Sequence, residues 1–437
     1  MKSPLSSSRL SPFVAPSPDP LSIPSQDYLL GLRGIFVIQS FLFVFFQTLL
    51  PTAVVDSKNV SGPLYQVILR KSLSILFWNE SLIYSFIIFL SARTLCLPFL
   101  SNGSRAVCSS SIFRRGIRLW IPTFIAFSLS AAIFSTASTG YVTDFLNATE
   151  NISIKSPTRI RNFLIYFNSL FDLFWVTKFY GNQAANEAFP SGTLWVISVI
   201  FQQSYTVYMT MAIIPHTRTK WRVRALFIFI LTAWWVASWA WYSISGLLLA
   251  DAVLNMNFKQ KSRNGFQMGK SRVPVWPFYV ALVVAGLLLQ FLFIAWRPEL
   301  RYKELQGHTA LYTPGSLNDG VDLDDKHARD DNFLIILGVM LLVETFDGVQ
   351  RVLRNRFLVS MGRRSLSVFL VQPLLIYTAG IKLYMFTQAS SVNHEAAVLA
   401  CFVVCVPLVM LVSELFYRIV DIPSMVVAKE TWEWLRK

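Results

Sequence analysis

The sequence predicts an all-α polytopic membrane protein of about ten transmembrane helices, with both termini cytosolic. Three observations lead there. Of 437 residues, 54% are hydrophobic and only 14% charged, against about 25% charged in soluble proteins, so lipid is the expected solvent for much of the surface. The apolar residues come in runs long enough to enter a bilayer rather than in the short alternating segments of an outer-membrane barrel. Backbone in lipid must then satisfy its own hydrogen bonds, which leaves helices. Four of the loops between the runs are rich in Lys and Arg.

Along the chain, residues 1–26 are rich in Ser and Pro without an apolar core, as expected of a disordered cytosolic tail and not of a signal peptide. Spans are expected near 29–50, 74–92, 117–137, 194–214, 225–241, 243–256, 273–296, 333–350, 365–384 and 395–418. The sixth is too short to cross alone. It is either a half-helix continued by Tyr242 and its neighbours or one long bent element with the fifth. The bundle therefore occupies 27–420, followed by a cytosolic tail over 421–437.

Orientation follows from the basic loops, which hold Arg93, Arg105, Arg114, Arg115 and Arg118, then Arg218 to Arg224, then Lys259 to Arg272, then Arg351 to Arg364. They alternate with less basic loops and so share the cytosolic side. The net charge of +15 is accounted for in this way, and nucleic-acid binding is not called for. Acceptor triplets for N-glycosylation include those at Asn147 and Asn151 on the opposite side, although one at Asn102 falls on the cytosolic side. Cys401 and Cys405 share one apolar helix, and Cys96 and Cys108 fall in a cytosolic loop, so no disulfide framework is implied. The acidic loop holding Asp319, Asp322, Asp324, Asp325, Asp330 and Asp331 with His308 and His327 has no diagnostic ligand spacing. It reads as solvated, and no metal is expected.

Ionisable groups inside apolar spans cost at least about 2.5 to 3.5 kcal/mol each at mid-membrane, which makes Arg33, Glu80, Asp251, Glu344, Asp347 and Glu414 candidates for function. Glu344 and Asp347, three apart, share one face of a continuous helix, where repulsion in low dielectric would keep a proton on one of them. The competing reading places Asp347 at the interface near Arg351. Asp251 has no basic residue within a turn and is either an acid or a packing group, and Glu80 opens the second span on the non-cytosolic side as a catalytic or capping carboxylate. All four histidines, His216, His308, His327 and His394, lie in loops or at span ends. A Ser-His-Asp arrangement and H-E-x-x-H are both absent. Of the many aromatic residues, most are expected to face lipid or form interfacial belts, with a minority inward where their ring faces would stabilise a positive centre.

Four segments together resemble the acyltransferase-3 family of membrane O-acyltransferases in its fungal form. They are Tyr28-Leu29-Leu30-Gly31-Leu32-Arg33-Gly34, Phe86-Ile87-Ile88-Phe89-Leu90-Ser91-Ala92-Arg93, Phe113 to Pro122 with Arg114-Arg115-Gly116-Ile117-Arg118 inside it, and Gly192-Thr193-Leu194-Trp195 to Phe201. The resemblance implies an acyltransferase-3-like bundle. It also implies a histidine in the first span, where Val44 stands, and a glutamate after the Leu-Trp pair, where Ile200 stands. Acyl transfer to a hydroxyl needs a base, so two readings follow.

In the first, the scaffold is a membrane-bound terpene cyclase of fungal meroterpenoid biosynthesis. Glu344, Asp347, Asp251 or Glu80 then serves as the acid that opens an epoxide on a prenyl chain without change of mass, and aromatic faces stabilise the cation. In the second, the protein remains an O-acyltransferase that uses acetyl-CoA as co-substrate, with Gln47, Gln202 or a non-equivalent carboxylate in place of the base. A non-catalytic membrane protein or transporter is a third reading. Arg33, Trp195, Gln202 and Tyr205 are the expected substrate-binding residues. No cofactor is expected, and the expected partners are a lipophilic small molecule, membrane lipid and other enzymes of the same pathway, in the endoplasmic reticulum.

Overall fold

The computed structural model describes residues 26–102, 104–136, 139–177, 179–268, 271–301 and 325–437. Residues 1–25 of the expected tail, and His308, Asp319, Asp322 and Asp324 of the acidic loop, lie outside them. Ten helices coincide with the expected spans: α1 (Asp27–Leu49), α2 (Glu80–Leu95), α3 (Arg105–Thr136), α4 (Trp195–Ile213), α5 (Thr219–Trp235), α6 (Ala240–Asn255), α7 (Trp276–Phe291), α8 (Asp330–Thr345), α9 (Ser365–Leu375) and α10 (His394–Phe416). Among the described residues, seven helical segments are long and apolar enough to cross a membrane by themselves, and a bent pair beginning with α8 makes an eighth. The chain is thus an all-α, multi-pass integral membrane protein.

The fifth and sixth spans are separate helices, joined by a turn in which Ala237 takes φ 51°. At 16 residues, α6 rises about 24 Å, and it gains its length by taking in Tyr242, as the half-helix alternative expected. A two-stranded antiparallel hairpin, β1 (Phe266–Met268) and β2 (Ser271–Val273), lies in the basic loop between α6 and α7. Beyond α10 the helix continues through a π-turn at Tyr417–Asp421 into Ile422–Leu435. The expected tail is therefore helical, and it packs on α3 with Phe113 and Trp432 ring centroids 5.9 Å apart.

Close approach of backbones holds the bundle together, as expected where lipid removes the hydrophobic drive between helices. A Cβ on Gly286 of α7 would lie 2.7 Å from the Asp331 carbonyl oxygen of α8, and one on Gly246 of α6 would lie 2.9 Å from the Phe89 carbonyl oxygen of α2. The tightest seam joins α1 to the segment before α9. Cβ atoms on Gly31, Gly34 and Gly362 would stand 1.7, 2.2 and 1.9 Å from the carbonyl oxygens of Leu353, Leu358 and Leu30. Replacing Gly34 by Val is therefore expected to destabilise the protein by about 1–3 kcal/mol or more through overpacking, read as a lower thermal unfolding midpoint of the purified protein.

Two local expectations are corrected. After Thr345 the chain turns by 101° into the short helix Asp347–Leu353, so Glu344 and Asp347 do not share a helical face. Trp239, Trp241 and Tyr242 are buried and belong to the inward-facing aromatic residues. Trp239 Nε1 donates to the Lys326 carbonyl at 3.0 Å and Tyr242 Oη to the Arg329 carbonyl at 2.5 Å, clamping the loop before α8. The acidic residues described there are engaged as well: Asp325 accepts from the Gly181 amide, Asp330 from Trp234 Nε1, and Asp331 pairs with Arg329. Cys96 and Cys108, expected in a loop, are buried at the end of α2 and in α3, and all four cysteines are free.

On the side away from the basic loops, Asn151 is 3% exposed and its amide donates to the carbonyls of Gln47 and Thr48. It is a structural tie, whereas Asn147 is exposed. The Asn102 triplet runs into Gly103, outside the described residues.

Candidate functional site

Two cavities, one toward each face of the bundle, are lined by charged side chains. The larger, about 660 Å³, opens on the side opposite the basic loops. It lies between the segment Val55–Lys71, the starts of α2 and α4, the π-turn ending α7 and the clamped loop Asp325–Arg329. Glu80 enters it from the first turn of α2, where Asn79 caps the helix by accepting from the Leu82 amide and the helix dipole favours a carboxylate. Trp195 enters from the first turn of α4, its backbone amide held by Asn186 Oδ1 at 3.1 Å. Trp195 Nε1 donates to Glu80 Oε1 at 3.2 Å, and Lys326 Nζ lies 2.8 Å from the same oxygen and 2.9 Å from Oε2. The ammonium also stands 5.8 Å from the Trp195 ring centroid.

Glu80 is thus an almost buried carboxylate, 6% exposed, with its edge on a cavity and its charge balanced by one lysine. Burial alone would lower the Lys326 ammonium, but the Glu80 carboxylate overrides it and holds the group above the ordinary lysine value. Across the cavity, burial would raise the Asp56 carboxyl, yet Arg301, with Arg329 and Lys326 behind it, holds it below the ordinary range. Both groups therefore stay charged at neutral pH and keep the wall of the cavity ionic.

The second cavity, about 140 Å³, lies toward the basic loops. Arg33 of α1, Arg115 and Arg118 of α3, and Arg363 line it with Asp421, so four guanidiniums face one carboxylate. Arg115 donates to Ser91 Oγ at 2.6 Å and to Ser204 Oγ at 3.1 Å, and Arg33 to Thr94 Oγ1 at 3.4 Å. Among the described residues none of the four forms an ion pair. Such an excess of planar donors in a partly closed pocket suits a multiply charged anion, to which guanidiniums bind bidentately.

Of the carboxylates singled out in the sequence, only Glu80 reaches a cavity. Glu344, 2% exposed, is locked between Arg93, whose Nη2 lies 2.9 Å from Oε1, and Tyr28, whose hydroxyl donates to Oε2 at 2.7 Å. Arg93 was expected in a basic loop and is instead fully buried. Asp251 pairs with Arg222 at 2.8 Å and accepts from Asn255 at 2.6 Å, although no basic residue lies within a turn of it in sequence. Asp347 is half exposed between Lys259 and Arg263. None of these three lines either cavity.

Among the expected binding residues, Arg33 lines the smaller cavity and Trp195 the larger. Gln202 is used up by Tyr180, Val176 and Ser198, and Tyr205 packs on Phe201, so neither lines a cavity. Gln47 lines neither, and Val44 is fully buried. Sequence reasoning missed Lys326 and the grouping of Arg115, Arg118 and Arg363. The Arg114-Arg115-Gly116-Ile117-Arg118 run was the available signal, read as a marker of orientation and of the family resemblance but not as a binding group.

The two cavities share no lining residue but approach each other near the start of α4. Trp195 lines the larger, while Val196 and Ile197, the next two residues of α4, line the smaller. Against known proteins, the acyltransferase-3 family model, described as an acyltransferase domain, matches residues 83–414. No curated protein and no solved structure matched the chain. The match spans most of the chain, so the protein belongs to the acyltransferase-3 family. The matched stretch begins inside α2, leaving α1 with Arg33 and the first turn of α2 with Glu80 outside it.

Proposed function

We propose that this family member is an O-acyltransferase that moves an acyl group, with acetyl-CoA as donor, onto a hydroxyl of a lipophilic secondary metabolite in the endoplasmic reticulum membrane of a fungal cell. The observation that carries the reading is that α2 and α4 each contribute to both a four-arginine cavity toward the basic loops and a carboxylate-bearing cavity on the other side. Arg33, Arg115, Arg118 and Arg363 hold the phosphates of the donor. The acceptor hydroxyl enters beside Glu80, which takes its proton as the oxygen bonds to the thioester carbonyl carbon. The carbon–sulfur bond breaks, and the thiolate of coenzyme A leaves and is protonated from water. Lys326 and Trp195 hold the Glu80 carboxylate in place, and the enzymes that make the acceptor are its pathway partners.

Acid-initiated cyclisation of an epoxide needs a carboxylic acid that keeps its proton. Glu344, Asp251, Asp347 and Glu80 each lie against a cation, which supports transfer over cyclisation. Microsomes from yeast expressing the chain, incubated with a prenylated phenol and its epoxide with and without acetyl-CoA, separate the two. The expected product has gained one acetyl group and requires acetyl-CoA. A product of unchanged mass and new retention, formed without acetyl-CoA, would overturn the reading in favour of a cyclase. Replacing Arg115 by Gln is expected to raise the KM for acetyl-CoA by about 10–100-fold, with little change in kcat, as for loss of a charged hydrogen bond made equally in ground and transition states.

A further inference from the structure

Three helices run from the arginine cavity toward the larger one, each with its residues spaced by single helical turns. On α2, Ser91 and Ile87 line the arginine cavity, Tyr84 lies one turn beyond, and Glu80 a further turn on lines the larger cavity. On α1, Arg33 and Val37 line the arginine cavity and Ser40 follows, and on α9 Leu366 and Phe369 line it and Gln372 follows. Steps of three and four residues keep each set on one helical face. The three residues that come next, Ser40, Tyr84 and Gln372, have no exposed surface. Gln372 Nε2 donates to Ser40 Oγ at 2.8 Å, and the Ser40 and Tyr84 hydroxyls lie 3.2 Å apart. The Tyr84 ring stands edge-on to Phe369 of the arginine cavity at 5.8 Å and to Trp195 of the larger cavity at 5.7 Å. A single ring, tied at its hydroxyl, separates the two.

Resting on the donor assignment above, we propose that Phe369 and Tyr84 determine the length of the acyl group by closing the inner end of the arginine cavity against thioesters longer than acetyl. A hydroxyl arriving beside Glu80 meets the thioester carbonyl at this boundary, so acyl carbons beyond the acetyl methyl must occupy space that these two rings fill. Both rings sit in edge-to-face packing, and Tyr84 is hydrogen-bonded into a fully buried network that cannot yield as a flexible side chain would. Phe369, which lines the cavity directly, is the first obstacle.

The test is calorimetric binding of coenzyme A, acetyl-CoA and octanoyl-CoA to the full chain in lipid nanodiscs, with empty discs subtracted. Octanoyl-CoA is expected to bind the wild type at least about 10-fold more weakly than acetyl-CoA, the low end of discrimination by an apolar wall for one methylene. Phe369→Ala, or Phe369→Leu if the first does not fold, is expected to remove most of that difference, read as the ratio of octanoyl-CoA to acetyl-CoA affinity within the same variant. Tyr84→Phe, which keeps the ring, is expected to preserve it. Equal binding of the two thioesters by the wild type, or an unchanged difference in a Phe369 variant that still binds coenzyme A, would overturn the proposal and leave the transferase reading standing. Failure of coenzyme A itself to bind the wild type would remove the donor assignment and this proposal with it.

Discussion

Replacing Glu80 by Gln is expected to lower acyl transfer by about 10²–10⁴-fold, the range for loss of a positioned general base, with the KM for acetyl-CoA nearly unchanged because the donor sits in the other cavity. The amide keeps an acceptor for Trp195 Nε1 but cannot take a proton, and it leaves Lys326 without the carboxylate that both its contacts use. Lys326 is 32% exposed in its side chain, so solvent cushions that loss and the protein is expected to stay folded. Single-turnover transfer beside a thermal unfolding curve separates chemistry from folding. Transfer at the wild-type rate by a folded Glu80→Gln protein would remove Glu80 from the mechanism.

The second large effect concerns stability and not chemistry. Glu344→Gln is expected to cost about 3–5 kcal/mol, because it leaves the fully buried Arg93 guanidinium without its counter-charge. For a membrane protein of ordinary stability this shows as little folded material in detergent. The double change Arg93→Met with Glu344→Leu removes both charges and is expected to recover most of the loss, since a buried pair replaced by apolar groups of similar volume is often neutral. A well-folded Glu344→Gln protein lacking only activity would instead return Glu344 to the catalytic candidates.

The same two residues mark how far the sequence could be read. Positions of the ten helices followed from hydropathy, because spanning segments must be apolar over a fixed length whatever they pack against. The pairing of Glu344 did not follow, since Arg93 lies 251 residues away and a basic residue after an apolar run ordinarily marks orientation. The turn at Phe346 was equally hidden. No proline stands there, so Glu344 and Asp347 looked like neighbours on one continuous helix. Glu80 and Trp195 were legible as residue types suited to chemistry. Their meeting was not, because Lys326 reaches them from a loop 246 residues beyond Glu80, held by aromatic residues that composition alone does not separate from a lipid belt. Arg33 was legible as a candidate because a guanidinium inside a span has few structural uses, and it lines the smaller cavity.

The glycine seam also bears on how the chain is made. Gly31 and Gly34 close against Leu353 and Leu358, and Tyr28 against Glu344, 316 residues later. At about 5–20 residues per second of synthesis, α1 leaves the ribosome tens of seconds before the surface that completes it exists. During that interval the Gly31 and Gly34 face of the helix is without its partner. A small-residue groove is also a good contact for any passing helix, so the last-made third of the chain has to compete for a surface that was exposed from the start.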